Sequence, residues 1–184
     1  MTAELDAKRL ELLRTAFPQI TRVSALVDPS NPSQLITLEK IEQAAKSIGL
    51  GSVDRVEAPT AEALRALRPA VFSRADGVIV VGSGMFWNYR RDIVALVNKA
   101  RLPAIYPERE YADDGGLMVY GANVADNFRR AADYVDRILK GANPGDLPIQ
   151  EPVRFDFIVN LRTANELGLA IPPSILTLAN EVIE

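Results

Sequence analysis

Five short apolar runs set the rhythm of this chain, at residues 23–27, 53–58, 77–81, 103–106 and 117–120. Each is too short for a stable lone helix and rich in β-branched residues, so each reads as a strand. Between them, apolar residues recur at helical spacing: Leu35, Leu38, Ile41, Ala45 and Ile48, then Leu64, Leu67 and Val71, then Ile93, Leu96, Val97 and Ala100. Another such stripe, Leu10, Leu13 and Phe17, precedes the first strand and ends at Pro18. Strands alternating with helices imply a parallel sheet with right-handed crossovers. The expected fold class is therefore α/β, a doubly wound, parallel, five-stranded sheet in the flavodoxin-like order 2-1-3-4-5. Residues 77–81, Gly-Val-Ile-Val-Val, are apolar without interruption and are expected at the sheet centre.

Composition excludes several function classes. The 184 residues include no histidine and no cysteine. This removes nucleophile–base pairs built on them, Cys/His zinc sites and disulfides. The net charge of −3 comes from scattered charges rather than a basic face, so nucleic acid is not an expected partner. With 48% hydrophobic and 24% charged residues, the chain can bury a core. No apolar run reaches the length of a membrane span. The first residues, MTAELDAKRLELL, lack the basic-then-apolar pattern of an export signal.

The candidate binding residues gather where strands end. Val27 is followed by Asp28-Pro29-Ser30-Asn31-Pro32-Ser33, a strand end running into a helix start, with Asn31 as cap and Pro32 at the first helical position. Ser30, Asn31 and Ser33, with the free amides there, suit a carboxylate or another polar ligand group. Simple helix capping is the alternative. Asp28 is placed to accept from a ligand amine, or else to stabilise the turn before proline. After the third strand, Ser83, Gly84, Met85 and Phe86 form a loop that lets a ligand approach the backbone and offers aromatic surface, with Trp87 adjoining. Core packing of Phe86 or Trp87 is the competing use. Tyr106, Glu108 and Tyr120 stand at or just beyond the ends of strands four and five, which open to the same crevice. Gly82-Ser83-Gly84 is not a phosphate-binding G-x-G-x-x-G, because Trp87 stands where the third glycine belongs. No cofactor is expected.

After residue 120 the rhythm changes. Phe128, Ala131, Ala132, Val135, Ile138 and Leu139 stripe one long helix, followed by a linker at 142–152 with three prolines and one glycine. Residues 155–161 read as a further strand, 163–169 as a short helix, and Ile175, Leu178 and Val182 as a last helical stretch. The expected division is an α/β ligand-binding lobe at 1–122 and a return segment at 123–184. The return segment would pack on a missing first lobe or on a partner chain. A strand lacking its home sheet exposes an edge, so a homodimer through this C-terminal segment is expected.

An ordered set of motifs carries a resemblance: Ala7-Lys8-Arg9-Leu10-Glu11-Leu12-Leu13, Val27-Asp28-Pro29-Ser30-Asn31-Pro32, Arg101-Leu102-Pro103-Ala104-Ile105-Tyr106 and Gly115-Gly116-Leu117-Met118-Val119-Tyr120-Gly121. Arg129-Arg130-Ala131-Ala132-Asp133-Tyr134-Val135-Asp136-Arg137-Ile138-Leu139-Lys140-Gly141, Asp146-Leu147-Pro148, Asn160-Leu161 and Ala164-Asn165-Glu166-Leu167-Gly168-Leu169 follow. Together they resemble the ABC-transporter substrate-binding proteins of the tryptophan/tyrosine-binding type, which have a type I periplasmic-binding fold with two lobes. The resemblance implies that this chain holds the second lobe and the segment returning to the first. It implies a small-molecule ligand such as an amino acid, a transporter permease as partner if the protein is full length, and no catalysis. It also implies a periplasmic location, or a cytoplasmic one if Met1 is the true start. The alternatives are a regulatory or sensory effector-binding module of the same fold, or a small α/β enzyme using Asp28 with Glu108 or Glu110 as an acid–base pair.

Overall fold

A computed structural model describes residues 2–184, with side chains from residue 4 onward. The elements run α1 (Thr2–Ala16), β1 (Arg22–Val27), α2 (Pro32–Ser47), β2 (Ser52–Glu57), α3 (Ala61–Ala66), β3 (Gly77–Val80), α4 (Gly84–Asn88), α5 (Arg90–Ala100), β4 (Ala104–Tyr106), α6 (Arg109–Asp113), β5 (Met118–Ala122), α7 (Val124–Leu139), β6 (Phe155–Asn160), α8 (Leu161–Leu167), α9 (Pro173–Leu178) and β7 (Glu181–Ile183). One sheet orders its strands β2-β1-β3-β4-β5-β6-β7. The first five are parallel, in the expected 2-1-3-4-5 order.

Helices cover both faces of the sheet, because successive strand residues point to opposite sides and both sides are apolar. Val23, Ala25 and Val27 of β1 share one apolar layer with Leu10 and Leu13 of α1, Phe17 just after that helix, and Leu38 and Ile41 of α2. On the other face Val78 and Val80 of β3 pack with Phe86, Ile93 and Val97. Local chemistry sets several boundaries. Asn31 accepts from the Ser33 amide to start α2, and Gly49, at φ +72°, follows that helix in the left-handed conformation glycine tolerates. Pro69 divides the expected Leu64–Leu67–Val71 stripe into α3 and a 3₁₀ turn at Pro69–Phe72.

The C-terminal third corrects two expectations. The strand expected to lack a home sheet is β6, and it pairs antiparallel with β5 in this same chain, Ala122 opposite Phe155 and Met118 opposite Val159. Its Phe157, Ile158 and Val159 are buried in the two layers already formed by the first five strands. The apolar run therefore finds its partner at the β5 edge, and the argument for a dimer through an unpaired strand loses its physical basis. Val182, expected in a helix, lies in β7, which extends the sheet beside β6 in parallel. What remains uncovered is α7. Its Phe128 is 74% exposed and its Leu139 82%, and Asp126 is its one buried residue. A groove of about 550 Å³ separates α7 from the following linker, lined by Ala131, Tyr134, Ile138, Leu147 and Ile149.

Candidate functional site

The strand order reverses between β1 and β3, and the loops after these two strands meet across that point, where open α/β sheets hold their ligands. Asp28, directly after β1, is buried. Its Oδ1 accepts from the Ser30 amide at 3.0 Å and the Ser30 hydroxyl at 2.5 Å, and its Oδ2 accepts from the Ser83 hydroxyl at 3.2 Å. Gln34, on the first turn of α2, ties the same loops from behind. Its Oε1 accepts from the Asp28 amide at 2.7 Å and its Nε2 donates to the Gly82 carbonyl at 3.1 Å.

These bonds distribute the expected residues among distinct tasks. Asn31 and Ser33 satisfy one another, the Asn31 carbonyl accepting from the Ser33 hydroxyl at 2.7 Å and amide at 3.1 Å. Ser83 caps α4, its oxygen 3.4 Å from the Phe86 amide. Gly84 is exposed and Met85 half-buried at the start of that helix. Phe86 is fully buried in the core, as is Tyr106, whose ring stacks on Tyr111 with centroids 5.1 Å apart. Neither ring stands on the crevice surface: both sit on the face of the sheet that α4, α5 and α6 cover. Trp87 is the exposed aromatic of the loop, with the Arg90 guanidinium 4.8 Å from its ring centroid. Tyr120 is half-buried at the end of β5 and stacks on Phe155 at 6.0 Å.

Glu108 follows β4, with the Pro107–Glu108 turn pressed between two glycines. A Cβ at Gly121 would fall 1.9 Å from the Pro107 carbonyl oxygen, and one at Gly82 would fall 3.3 Å from Glu108 Oε1. Glycine at both positions lets the carboxyl come beside the loop that carries Ser83. Burial pushes the Glu108 carboxyl up to about 7, Arg9 pulling it back and Glu110 and Asp6 adding to the rise.

Arg9 and Asp6, which sequence reasoning missed, complete this corner. Both are buried on α1 and paired with each other. Arg9 Nε also donates to the Tyr120 carbonyl at 2.6 Å and Nη2 to the Pro107 carbonyl at 3.5 Å, so one guanidinium ties α1 to the ends of β4 and β5. Burial raises the Asp6 carboxyl above its usual range, with Arg9 opposing the rise. The signal was present: Asp6 and Arg9 share the helical stripe of Leu10, Leu13 and Phe17, where charges are out of place unless paired. Gln34 gave no comparable sign. Among the described residues no group of three or more acidic residues is arranged to hold a metal ion.

The crevice is thus a wall of hydroxyls and carboxylates held by buried polar bonds, suited to binding a small polar molecule. The family described as ABC transporter substrate binding protein matches residues 2–183. A tyrosine-binding protein of Clostridioides difficile is 20% identical over 162 residues, which cover 88% of this chain and 47% of that protein. A conserved domain protein of Vibrio cholerae superposes with a TM-score of 0.87 at 20% identity, over 96% of this chain and 60% of that one. An ABC domain from Streptococcus pneumonia, solved in complex with L-Trp, superposes with a TM-score of 0.85 at 22% identity, over 97% of this chain and 62% of that one. The chain spans about half the length of the curated relative it matches. No helix among the described residues is long and apolar enough to cross a membrane. With a match that runs from residue 2 to residue 183, this chain belongs to the ABC transporter substrate-binding protein family.

Proposed function

We propose that this chain forms one wall of an extracytoplasmic receptor that binds a small solute, an amino acid by the relatives' example, and delivers it to a transporter permease without chemical change. The observation that carries this reading is the joined corner of Asp28, Ser83 and Gln34 at the reversal of strand order, in a chain whose family is one of binding proteins. On this reading Asp28, Ser30, Ser83, Glu108 and Tyr120 face the solute, and Gly84 and Met85 border it. Phe86, Tyr106, Asn31 and Ser33 support the wall from within.

A second wall comes from polypeptide outside this chain, and the exposed face of α7 packs against it. Hinged closure of the two walls around the solute is then the mechanism. Residues 1–122 supply the binding wall. Residues 123–184 supply α7 as the contact and return through β6 to the sheet.

The experiment is a thermal-shift screen of the protein with each standard amino acid and with small organic acids. A one-site ligand stabilises by about 2.7 kcal/mol at a hundred times its Kd, which is a readily measured rise in midpoint. Stabilisation by one chemically related group of solutes supports the reading. No shift with any of them, in a protein carrying both walls, overturns it.

A further inference from the structure

A strand inside a parallel sheet turns its amides and carbonyls alternately to its two neighbours, so β1 carries one ladder of bonds to β2 and another to β3. On the β2 side the ladder runs to the strand end, where the Ala58 amide donates to the Val27 carbonyl at 2.9 Å. On the β3 side the last rung is the Val81 amide on the Leu26 carbonyl at 3.1 Å. With Leu26 opposite Val80, the next rung of that ladder would be the Asp28 amide on the Val81 carbonyl. The Asp28 amide turns elsewhere. It donates to Gln34 Oε1 at 2.7 Å, and Gln34 Nε2 donates in turn to the Gly82 carbonyl at 3.1 Å. A side-chain carboxamide stands where one strand would have met the other.

Helix capping does not account for this placement. Gln34 is the third residue of α2, the position from which a glutamine reaches back to the capping residue's amide. Here the Asn31 amide is already bonded to the Asp28 carbonyl at 3.1 Å, and the Gln34 side chain passes beyond it. At 2% exposure its carboxamide has to find a donor and an acceptor within the protein, and it finds one on each of two loops. Few side chains could stand in for it: Asn is a methylene shorter, ionised Glu has no donor, and Leu has neither group. Both sides of the insertion are braced. Leu38 and Ile41, further along α2, are buried in the layer that holds Val27. Gly82 rests against the Pro107–Glu108 turn, where an added Cβ would fall 3.4 Å from Pro107 Cβ and 3.3 Å from Glu108 Oε1. Neither the helix nor the loop after β3 has room to retreat, so the width of the carboxamide sets the gap.

We infer that Gln34 is a positioning residue of the crevice: its carboxamide keeps the ends of β1 and β3 from closing their next rung, and so sets the distance at which Asp28 and Ser83 face a solute. This deepens the solute-binding reading and rests on it. Gln34 acts from behind Asp28 and does not itself touch the solute. The bond between the two loops fits a spaced pair. The Ser83 hydroxyl reaches Asp28 Oδ2 at 3.2 Å, whereas the bonds Asp28 receives from Ser30, within its own loop, are 2.5 and 3.0 Å. Without the spacer the sheet gains the missing rung, and the two loops close on each other.

Two variants test this without any solute, so a failure here is separate from a failure of the amino-acid screen. Gln34→Ala removes the carboxamide and its bulk, and Gln34→Leu removes the two bonds but keeps the bulk. NMR couplings across hydrogen bonds identify the partner of the Asp28 amide. In the wild type the Asp28 nitrogen is expected to couple to Gln34 Cδ. In Q34A a coupling to the Val81 carbonyl carbon takes its place, and a crystal structure shows the strand ends drawn in to the ordinary spacing of about 4.8 Å. In Q34L the strand ends stay apart and the Asp28 amide has no partner, so its hydrogen exchange rises about tenfold or more. In Q34A the new rung protects that amide, and its exchange stays within about threefold of the wild type. A residue that only fills space would give the opposite order, with Q34L close to the wild type and Q34A the more disturbed. That order overturns the inference, as does a wild-type Asp28 nitrogen coupled to Val81, or strand ends equally spaced in Q34A and the wild type.

Discussion

The Ser83 hydroxyl reaches Asp28 Oδ2 at 3.2 Å, joining the loop after β3 to the loop after β1 at the place where strand order reverses. The same oxygen of Ser83 starts α4, so one short side chain closes the corner and begins a helix. Asp28→Ala leaves two hydroxyls and an amide without their acceptor in a buried setting, a loss of about 1–3 kcal/mol. Ser83→Ala removes one bond from Asp28 and one cap, about 1 kcal/mol. Urea denaturation checks both, with Asp28→Ala expected to be the larger loss and the slope of the transition unchanged.

Arg9 and Asp6 make a sharper case. Removing one member of a buried ion pair strands the other, at a cost of about 3–5 kcal/mol. Arg9→Met also strips the donors from the Tyr120 and Pro107 carbonyls, so it is expected to be the most damaging single change on α1. The double variant Asp6→Leu with Arg9→Met is expected to recover much of that loss. A double-mutant cycle by thermal unfolding measures the recovery, and simple additivity of the two single losses contradicts the account.

The pH dependence of stability has two limbs with opposite signs. Glu108 is raised from an ordinary 4.5 to about 7, so the folded state holds its proton more firmly than the unfolded state. Its stabilising contribution is full below about pH 4.5 and is lost as pH rises through 7. At ~1.4 kcal/mol per unit, that loss is on the order of 3 kcal/mol, and Glu108→Gln is expected to flatten it. Asp76 shows the reverse. Its Oδ2 accepts from the Thr21 hydroxyl and amide and from the Arg22 amide, which lowers its carboxyl to about 2. That contribution is present above 3.8 and lost as pH falls toward 2. Because Asp76 lies near the surface, solvent screening keeps this limb shallow. Chemical denaturation at pH steps from 2 to 9 separates the two limbs, and Asp76→Asn is expected to alter the acid one alone.

The apolar stripe of α7 governs association. Phe128→Ser with Leu139→Gln changes residues that are 74% and 82% exposed, so stability is expected to stay within about 0.5 kcal/mol. Sedimentation velocity is expected to show the wild-type chain self-associating as concentration rises and the variant remaining monomeric. Identical profiles would remove α7 as a surface for self-association.

Much of the fold was legible because its signals are local. Five apolar runs, the Asn31-Pro32 helix start and the glycine after Ile48 each declare themselves within a few residues, and connection rules limit the order of parallel strands. The position of β6 was not legible. Phe157-Ile158-Val159 announces a buried strand, yet nothing in those residues says which sheet edge receives it after an excursion of more than thirty residues. The site divides similarly. Asp28, Ser83 and Glu108 follow from standing at strand ends. Tyr106 stands there too, and its side chain alternates to the covered face, a choice made by register, while Phe86 is carried into the same layer by α4. Arg9 belongs to the corner through bonds to carbonyls more than ninety residues away, which no spacing rule reveals.

The pairing of Ala122 with Phe155 has a consequence for the architecture as a whole. The chain departs the sheet and rejoins it at adjacent points, and the Asn123 amide donates to the Arg154 carbonyl at 2.9 Å just outside them. Everything between is a loop in the topological sense, its ends clamped side by side, and paired strands of this kind stand about 5 Å apart. Such a segment is interchangeable: a short β-turn in its place would leave every strand and both apolar layers closed. The sheet and the excursion are therefore free to diverge independently, one preserving the crevice while the other changes what it touches.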